Sequence, residues 1–249
     1  METITFRTKG RIGYLTLNRP TKYNAINQQM VAELEQFWRE RRYDERVGVI
    51  VLDGGDAKGF CAGLDMESYA PEIMAASATK VYDAQVRMSR LMLAMRQAPQ
   101  PIICCVHGAA AGLGFSMAMA SDVRILAENA RFSAAYINIG LGGADMASSY
   151  FLPRLIGSGR ANEFLLTGNW MGAEEALALG FASRVVVREK MLDTAVDLAE
   201  NMAAKEPLGL RMTKEAININ IDAAGLEACL QMEDRNQVML ILAKDRAGR

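Results

Sequence analysis

The run Pro101-Ile102-Ile103-Cys104-Cys105-Val106 is apolar at every position, and it restricts the fold more than any other feature of the chain. A strand with one wet face alternates apolar and polar residues, whereas a strand buried on both faces is apolar throughout. Layers must therefore cover both sides of it. After His107 the pattern is broken by Gly108, Gly112 and Gly114, and a helical stretch follows from about Leu113 to Ser121. Val123 to Leu126 and Ala130 to Phe132 then read as short strands. Strand, glycine-containing turn and helix recur about once every 50 residues. That recurrence is the outline of a stacked α/β spiral.

The flanking segments fit the same scheme. Ile4 and Phe6, then Ile12, Tyr14, Leu15 and Leu17, read as a hairpin turning at Lys9-Gly10. From Gln28 to Arg42 the residues Met30, Leu34, Phe37 and Trp38 recur at helical spacing, and Val47 to Leu52 is a strand closed by Asp53-Gly54-Gly55. Residues 72–96 read as one helix ending before Pro99. From Gly157 onward helical patterns dominate: 161–166, 173–179, 191–204, 207–220 and 226–242, interrupted only by a strand at 182–187. Their broad apolar faces suit either the chain's own core or a neighbouring subunit.

Bulk properties exclude several classes. With 28 basic and 29 acidic residues the formal charge is -1, and no helix carries a lysine-rich stripe, so the chain has no footprint for nucleic acid or an anionic membrane. Hydrophobic residues at 51% and charged residues at 23% describe a globular enzyme. Cys61, Cys104, Cys105 and Cys229 lack metal-ligand spacing, so no metal is expected and the thiols read as reduced. No segment approaches the roughly 18 apolar residues of a membrane span, and no signal-peptide pattern opens the sequence. A cytoplasmic location is expected.

Three loop segments carry a family resemblance. They are Leu17-Asn18-Arg19-Pro20-Thr21-Lys22-Tyr23-Asn24-Ala25, Gly59-Phe60-Cys61-Ala62-Gly63-Leu64-Asp65, and Val106-His107-Gly108-Ala109-Ala110-Ala111-Gly112-Leu113-Gly114, the last followed by Ser121-Asp122. In this order and spacing they resemble the crotonase (enoyl-CoA hydratase/isomerase) superfamily. The resemblance implies an α/β fold, a crotonase-type spiral of stacked ββα units with a helical C-terminal subdomain. Residues 1–190 would form the acyl-CoA-binding core, and residues 191–249 the part that oligomerises, as a trimer or dimer of trimers, and closes the pocket.

The resemblance also implies site residues. A thioester carbonyl gains negative charge when its α-carbon loses a proton or a nucleophile adds, and backbone N–H donors fixed in advance stabilise that charge without reorganising. By resemblance those donors belong to Leu64 and Leu113, the latter at a helix N-terminus where the dipole adds to the field. The family usually has glycine at the position of Leu113, so the side chain adds bulk beside the acyl pocket. For CoA the resemblance points to Lys22, Tyr23 and Ala25 in the first loop and to Ala62, Leu64 and Asp65 in the second. No cofactor is implied beyond the CoA moiety of the substrate.

The sequence departs from the family's hydratases at the two catalytic glutamates, whose positions hold Ser116 and Tyr136. Water addition needs a base for the water and an acid for the α-carbon, and hydroxyls with pKa values far from neutrality serve poorly. One acid lies in the neighbourhood, Asp145 in Gly140-Leu141-Gly142-Gly143-Ala144-Asp145-Met146. This segment resembles branches with an aspartate in the loop, among them dienoyl-CoA isomerases and chlorobenzoyl-CoA dehalogenases. The latter are similar also in an aromatic residue at the second glutamate and in a Ser-Tyr pair, here Ser149-Tyr150.

Isomerase-like chemistry is favoured, with Asp145 carrying the proton and Tyr136 orienting or donating. The alternatives are hydrolysis or dehalogenation through nucleophilic attack by Asp145, and a non-catalytic acyl-CoA-binding protein. Against dehalogenation, Arg87-Met88-Ser89-Arg90 lacks that branch's water-activating histidine. The bland reading of Asp145 is a cap ahead of a helix at 146–152. His107, the single histidine, reads as a structural turn residue. The chain also ends at Lys244-Asp245-Arg246-Ala247-Gly248-Arg249, where the family usually continues into a longer helix, and this is expected to alter a pocket wall or a subunit contact.

Overall fold

The computed structural model describes the backbone of residues 1–247 and the side chains of residues 1–244. Gly248 and Arg249, part of the end segment expected to alter a pocket wall or a subunit contact, lie outside the described residues. In chain order the elements are β1 (Ile4–Lys9), β2 (Ile12–Leu17), α1 (Gln28–Arg41), β3 (Val49–Asp53), α2 (Tyr69–Met74), α3 (Ala78–Gln97), β4 (Ile102–Val106), β5 (Ala109–Ala111), α4 (Leu113–Ala120), β6 (Val123–Ala127) and β7 (Arg131–Ser133). There follow α5 (Ser148–Ile156), α6 (Ser158–Thr167), β8 (Met171–Gly172), α7 (Ala173–Ala178), β9 (Arg184–Val186), α8 (Arg188–Ala203), α9 (Pro207–Asn220) and α10 (Leu226–Ala247).

The six-stranded sheet runs β1-β2-β3-β4-β6-β9, antiparallel in the first hairpin and parallel thereafter. β5, β7 and β8 make a second, smaller sheet. Ile102, Cys104 and Val106 of β4 join the core beneath α1, α3 and α4, while Ile103 and Cys105 face the opposite side with Met191, Ala195 and Ala199 of α8. The two-sided burial expected from the apolar run is thus realised. The second face of the sheet is covered by α8, most of which lies beyond residue 190. Among the described residues no helix is long and apolar enough to cross a membrane, and no cluster of candidate metal ligands occurs.

Three local expectations are corrected. The helix expected over 72–96 is two helices, α2 and α3, because residues 74–77 bury little side chain and Ser77 takes the extended conformation that precedes a new helix. The helix expected at 146 begins at Ser148, because Met146 and Ala147 are left-handed. The strand at 184–186 is joined, in the region from Gly157, by the two-residue β8, too short to show any alternation.

Helix α9 is fastened to the core by a buried charge. Lys214, only 5% exposed, places Nζ 2.8 Å from Asp122 Oδ2 and 2.8 Å from the Gln100 carbonyl. Asp122 in turn accepts from the Ile102 amide at the start of β4 and pairs with Arg96 of α3. Burial pushes the Lys214 ammonium pKa down, and Asp122 opposes that shift.

At the other end of the chain the Glu33 carboxylate accepts from the amides of Glu2, Thr3 and Ile4 at 2.9, 2.9 and 3.1 Å and from the Thr3 hydroxyl at 2.7 Å. Burial alone would raise this carboxyl, but the donors outweigh it and hold its pKa at about 2. A carboxylate with a depressed folded pKa stabilises the fold above its unfolded pKa and loses that contribution as pH falls through the folded value. Glu33→Gln should therefore cost about 1–3 kcal/mol at neutral pH, with a lower Tm. In denaturation series the gap between wild type and variant should close as pH falls from the ordinary carboxylate range toward about 2.

Candidate active site

The loop after β3 and the turn after β4 are joined strand to strand. Phe60 N–H donates to the His107 carbonyl at 2.8 Å, Cys61 N–H to the Ala109 carbonyl at 3.1 Å, and Ala111 N–H to the Cys61 carbonyl at 2.9 Å. This bridge sets the Gly63-Leu64 and Gly112-Leu113 peptides side by side. At Gly63, φ is +91°, and an added Cβ would lie 2.9 Å from the Ala111 carbonyl oxygen. At Gly112, φ is +52°, and a Cβ would lie 3.3 Å from the Tyr136 ring and 3.8 Å from the Gly63 Cα. Only glycine takes both conformations at that closeness.

The two amides named from the sequence stay unspent among the described residues. Around Leu64, Ile26 N–H donates to Gly63 O at 2.7 Å and Asp65 N–H to Ile26 O at 2.9 Å, so the parallel bridge between Ile26 and Leu64 makes no use of the Leu64 amide. Leu113 is the first residue of α4, and an N–H at that position has no carbonyl one turn earlier to accept it. Its side chain is buried, packed in the core beside the site rather than exposed.

The first loop is held to the second by Asn24, which is fully buried. Its Nδ2 donates to the carbonyls of Gly54 and Phe60 at 2.8 and 2.9 Å, and its Oδ1 accepts from the Arg19 amide at 2.9 Å. Asn24 and Tyr23 adopt left-handed φ values of 54° and 52°. Arg19 reaches across to Asp65 at 2.8 Å and also donates to the Ala25 carbonyl. The Asp65 carboxylate caps the next turn, accepting from Glu67 and Ser68 amides at 3.0 and 2.9 Å. Its side chain is therefore structural. Burial would raise it, but the Ser68 amide and Arg19 hold its pKa down at about 2.

Of the other loop residues, Ala62 donates its N–H to the Tyr23 carbonyl at 3.0 Å, and Tyr23 is exposed. Lys22 is exposed and paired with Glu67 at 2.5 Å, a contact that raises its pKa. An anion arriving at Lys22 would compete with Glu67.

Ser116 and Tyr136, set by the resemblance at the two glutamate positions, pair with each other at 3.2 Å between hydroxyls. Ser116 is fully buried, and burial raises the Tyr136 phenol further from neutrality, aided by the nearby charge of Asp145. Neither is a base at physiological pH. Cys61 is equally inert, its thiol pushed up to about 12 by burial. His107 is buried with Nε2 2.7 Å from the Ala57 carbonyl, and burial lowers its pKa. It props the loop as a turn residue.

Asp145 sits on a backbone that disfavours its own conformation, since the next two residues, Met146 and Ala147, have φ of 46° and 65°. Ser148 steadies it: its Oγ accepts from the Asp145 amide at 3.0 Å, and its amide donates to the Asp145 carbonyl at 2.8 Å. The carboxylate Oδ1 accepts from the Met146 amide at 2.8 Å and from Gln85 Nε2 at 2.6 Å. Gln85, on α3, was not legible as a site residue, because a glutamine amid mixed polar and apolar helix residues carries no motif. Tyr150, of the Ser-Tyr pair, commits its hydroxyl to Asp222, which also pairs with Arg154 at 3.0 Å. A cleft of about 860 Å³ between α3, α5 and α9 has Ala147 in its wall but no residue of the glycine loops.

Residues 7–248 match the family model described as enoyl-CoA hydratase/isomerase. The chain belongs to the enoyl-CoA hydratase/isomerase family. It is thereby a member of the crotonase superfamily and an enzyme of that kind. It is 36% identical over 93% of its length, and 79% of the relative's, to a Mycobacterium leprae protein named "Probable enoyl-CoA hydratase echA12". It is 34% identical over 88% of its length, and 82% of the relative's, to the 1,2-epoxyphenylacetyl-CoA isomerase of Escherichia coli. The crystal structure of an enoyl-CoA hydratase from Bacillus anthracis superposes with a TM-score of 0.91 at 30% identity, covering 98% of this chain and 93% of that one. The crotonase-type fold is the observed one. Family membership encompasses both hydratase and isomerase names.

Asp65→Asn should loosen both loops at once. The variant keeps the volume but removes the ion pair with Arg19 and weakens the two cap bonds, a loss of about 1.5–3 kcal/mol at neutral pH. Because the folded pKa is depressed to about 2, wild-type stability should fall with acid while the variant's changes less, and the two should converge near that pH.

Proposed function

We propose that the enzyme moves a proton between carbons of an acyl-CoA, shifting a double bond, with Asp145 as the proton carrier. The carrying observation is the pairing of donors on Asp145. Oδ1 holds two hydrogen bonds, while Oδ2 accepts none from the described residues, which leaves one basic oxygen in a fixed orientation. A single carboxylate suffices for this reaction. It takes a proton from one carbon, the thioester becomes an enolate, and the same proton returns to a carbon further along.

The enolate oxygen would lie against the N–H groups of Leu64 and Leu113, with the α4 dipole adding to the field. Tyr136 would orient the acyl group, and Ser116 would hold the Tyr136 hydroxyl. CoA would lie along the first and second loops at Lys22, Tyr23, Ala25, Ala62 and Leu64, with Asp65, whose N–H and carbonyl are bonded to Ile26, Tyr69 and Ala70, holding the second loop in place, and no cofactor beyond the CoA moiety is invoked. The isomerase name of the Escherichia coli relative supports this reading. Hydration would need a second acid–base group, and the Ser116-Tyr136 pair is a poor one. Nucleophilic attack by Asp145 would need an activated water, and residues 87–90 offer no histidine.

Self-association is part of the same proposal. Ile217, Ile219 and Ile221 of α9 and its end, and Val238, Met239, Ile241 and Leu242 of α10, are exposed as a monomer. A trimer or a dimer of trimers would cover them.

The test is an ultraviolet assay with 3-enoyl-CoA, dienoyl-CoA and 2-enoyl-CoA. Isomerisation should exceed hydration, and Asp145→Ala should lower it by about a hundred- to ten-thousandfold with the circular dichroism spectrum unchanged. Full activity in that variant would remove Asp145 from the mechanism.

A further inference from the structure

We infer that Gln85 is a positioning residue for Asp145: its side-chain amide occupies Oδ1, so that Oδ2 alone faces the substrate. The inference rests on the reading of Asp145 as proton carrier. Its basis is geometric. A carboxylate on a loop can rotate about its last bond and present either oxygen, and a proton carrier that does so spends part of its time misaligned. Here a 2.6 Å bond from Gln85 Nε2 and a 2.8 Å bond from the Met146 amide converge on one oxygen from two different elements. The second comes from the loop itself and moves with it. Among the described residues, only Gln85 ties the carboxylate to the body of the protein.

The helix that carries Gln85 is itself fixed in rotation. Two residues on, Arg87 forms a bidentate pair with Glu35 of α1 at 3.0 and 2.6 Å, and one residue further Met88 enters the core. Glutamine suits this role because its amide donates without carrying charge, so it fixes the carboxylate without forming the tight ion pair that an arginine would impose. The titratable group facing Asp145 is Tyr136. Arg87 is spent on Glu35, Arg154 and Tyr150 on Asp222, and Asp83 on α3 is exposed.

The experiment is steady-state kinetics of acyl-CoA isomerisation across pH for wild type, Gln85→Leu, Gln85→Glu and Asp145→Ala. Gln85→Leu should lower kcat by about ten- to a hundredfold, the loss of a hydrogen bond to a charged group, with KM within about twofold, as expected for an interaction used in the transition state. Base catalysis needs the carboxylate ionised, so activity fails on the acid side. Gln85 donates to the ionised carboxylate, so without it the acidic limb of the kcat profile should move to higher pH.

Gln85→Glu places a second carboxyl beside the first and should move the limb further in the same direction. It decides the matter if the leucine variant fails to fold. An unmoved limb with unchanged kcat in either folded variant would overturn the role of Gln85. Retained activity in Asp145→Ala would instead overturn the proton-carrier reading beneath it, and the two failures are distinct.

Discussion

The bridge between Cys61 and Ala110 is the interaction on which the rest of the site depends. It seats the second loop, irregular on its own, as a miniature parallel ladder against β5 of the smaller sheet. The ladder consumes the N–H groups of Phe60, Cys61 and Ala111 and the carbonyls of His107, Ala109 and Cys61, while the amides of Leu64 and Leu113, three and two residues further on, meet no acceptor among the described residues. Because the ladder is backbone to backbone, side chains around it can change while the donors persist. On the proposed reading the oxyanion donors belong to the main chain, while Asp145 moves the proton and Tyr136 and Ser116 orient, so one backbone feature can serve different reactions.

Outside that ladder, buried polar groups act as fasteners between elements distant in sequence. Asn24 joins the first loop to the ends of β3 and the second loop, Glu33 joins α1 to the chain start, and Lys214 joins α9 to Asp122 and the start of β4. Each is satisfied by several partners, which offsets the cost of taking it from water. Their common effect is to fix the relative placement of layers whose apolar contacts alone would tolerate sliding.

The fold was legible largely because its strongest signals are periodic. The β4 run, the hairpin and the α9 boundaries at Pro207 and Asn220 follow from residue pattern alone, and the three loop motifs identified the superfamily. The break between α2 and α3 was not legible, since alanine-rich sequence favours helix everywhere and only the lack of burial there ends it. For the proposed site, Leu64, Leu113, Ser116, Tyr136 and Asp145 were named from the sequence by resemblance. Gln85 was not, because its relation to Asp145 spans 60 residues and exists only after α3 is docked. Nor was the structural use of the Asp65 carboxylate, which depends on where Arg19 reaches.

The left-handed pair Met146-Ala147 has a further meaning. Neither side chain prefers that region, so the conformation is imposed from outside, by Ser148 on one side and by Gln85 through the carboxylate on the other. Order at this loop is borrowed from its neighbours rather than encoded in it. A peptide of the same sequence would relax into other turns, and in the folded enzyme a glycine at Ala147 would ease the backbone while freeing the loop to wander. Residue identity at this point thus trades conformational comfort for a carboxylate with a single orientation.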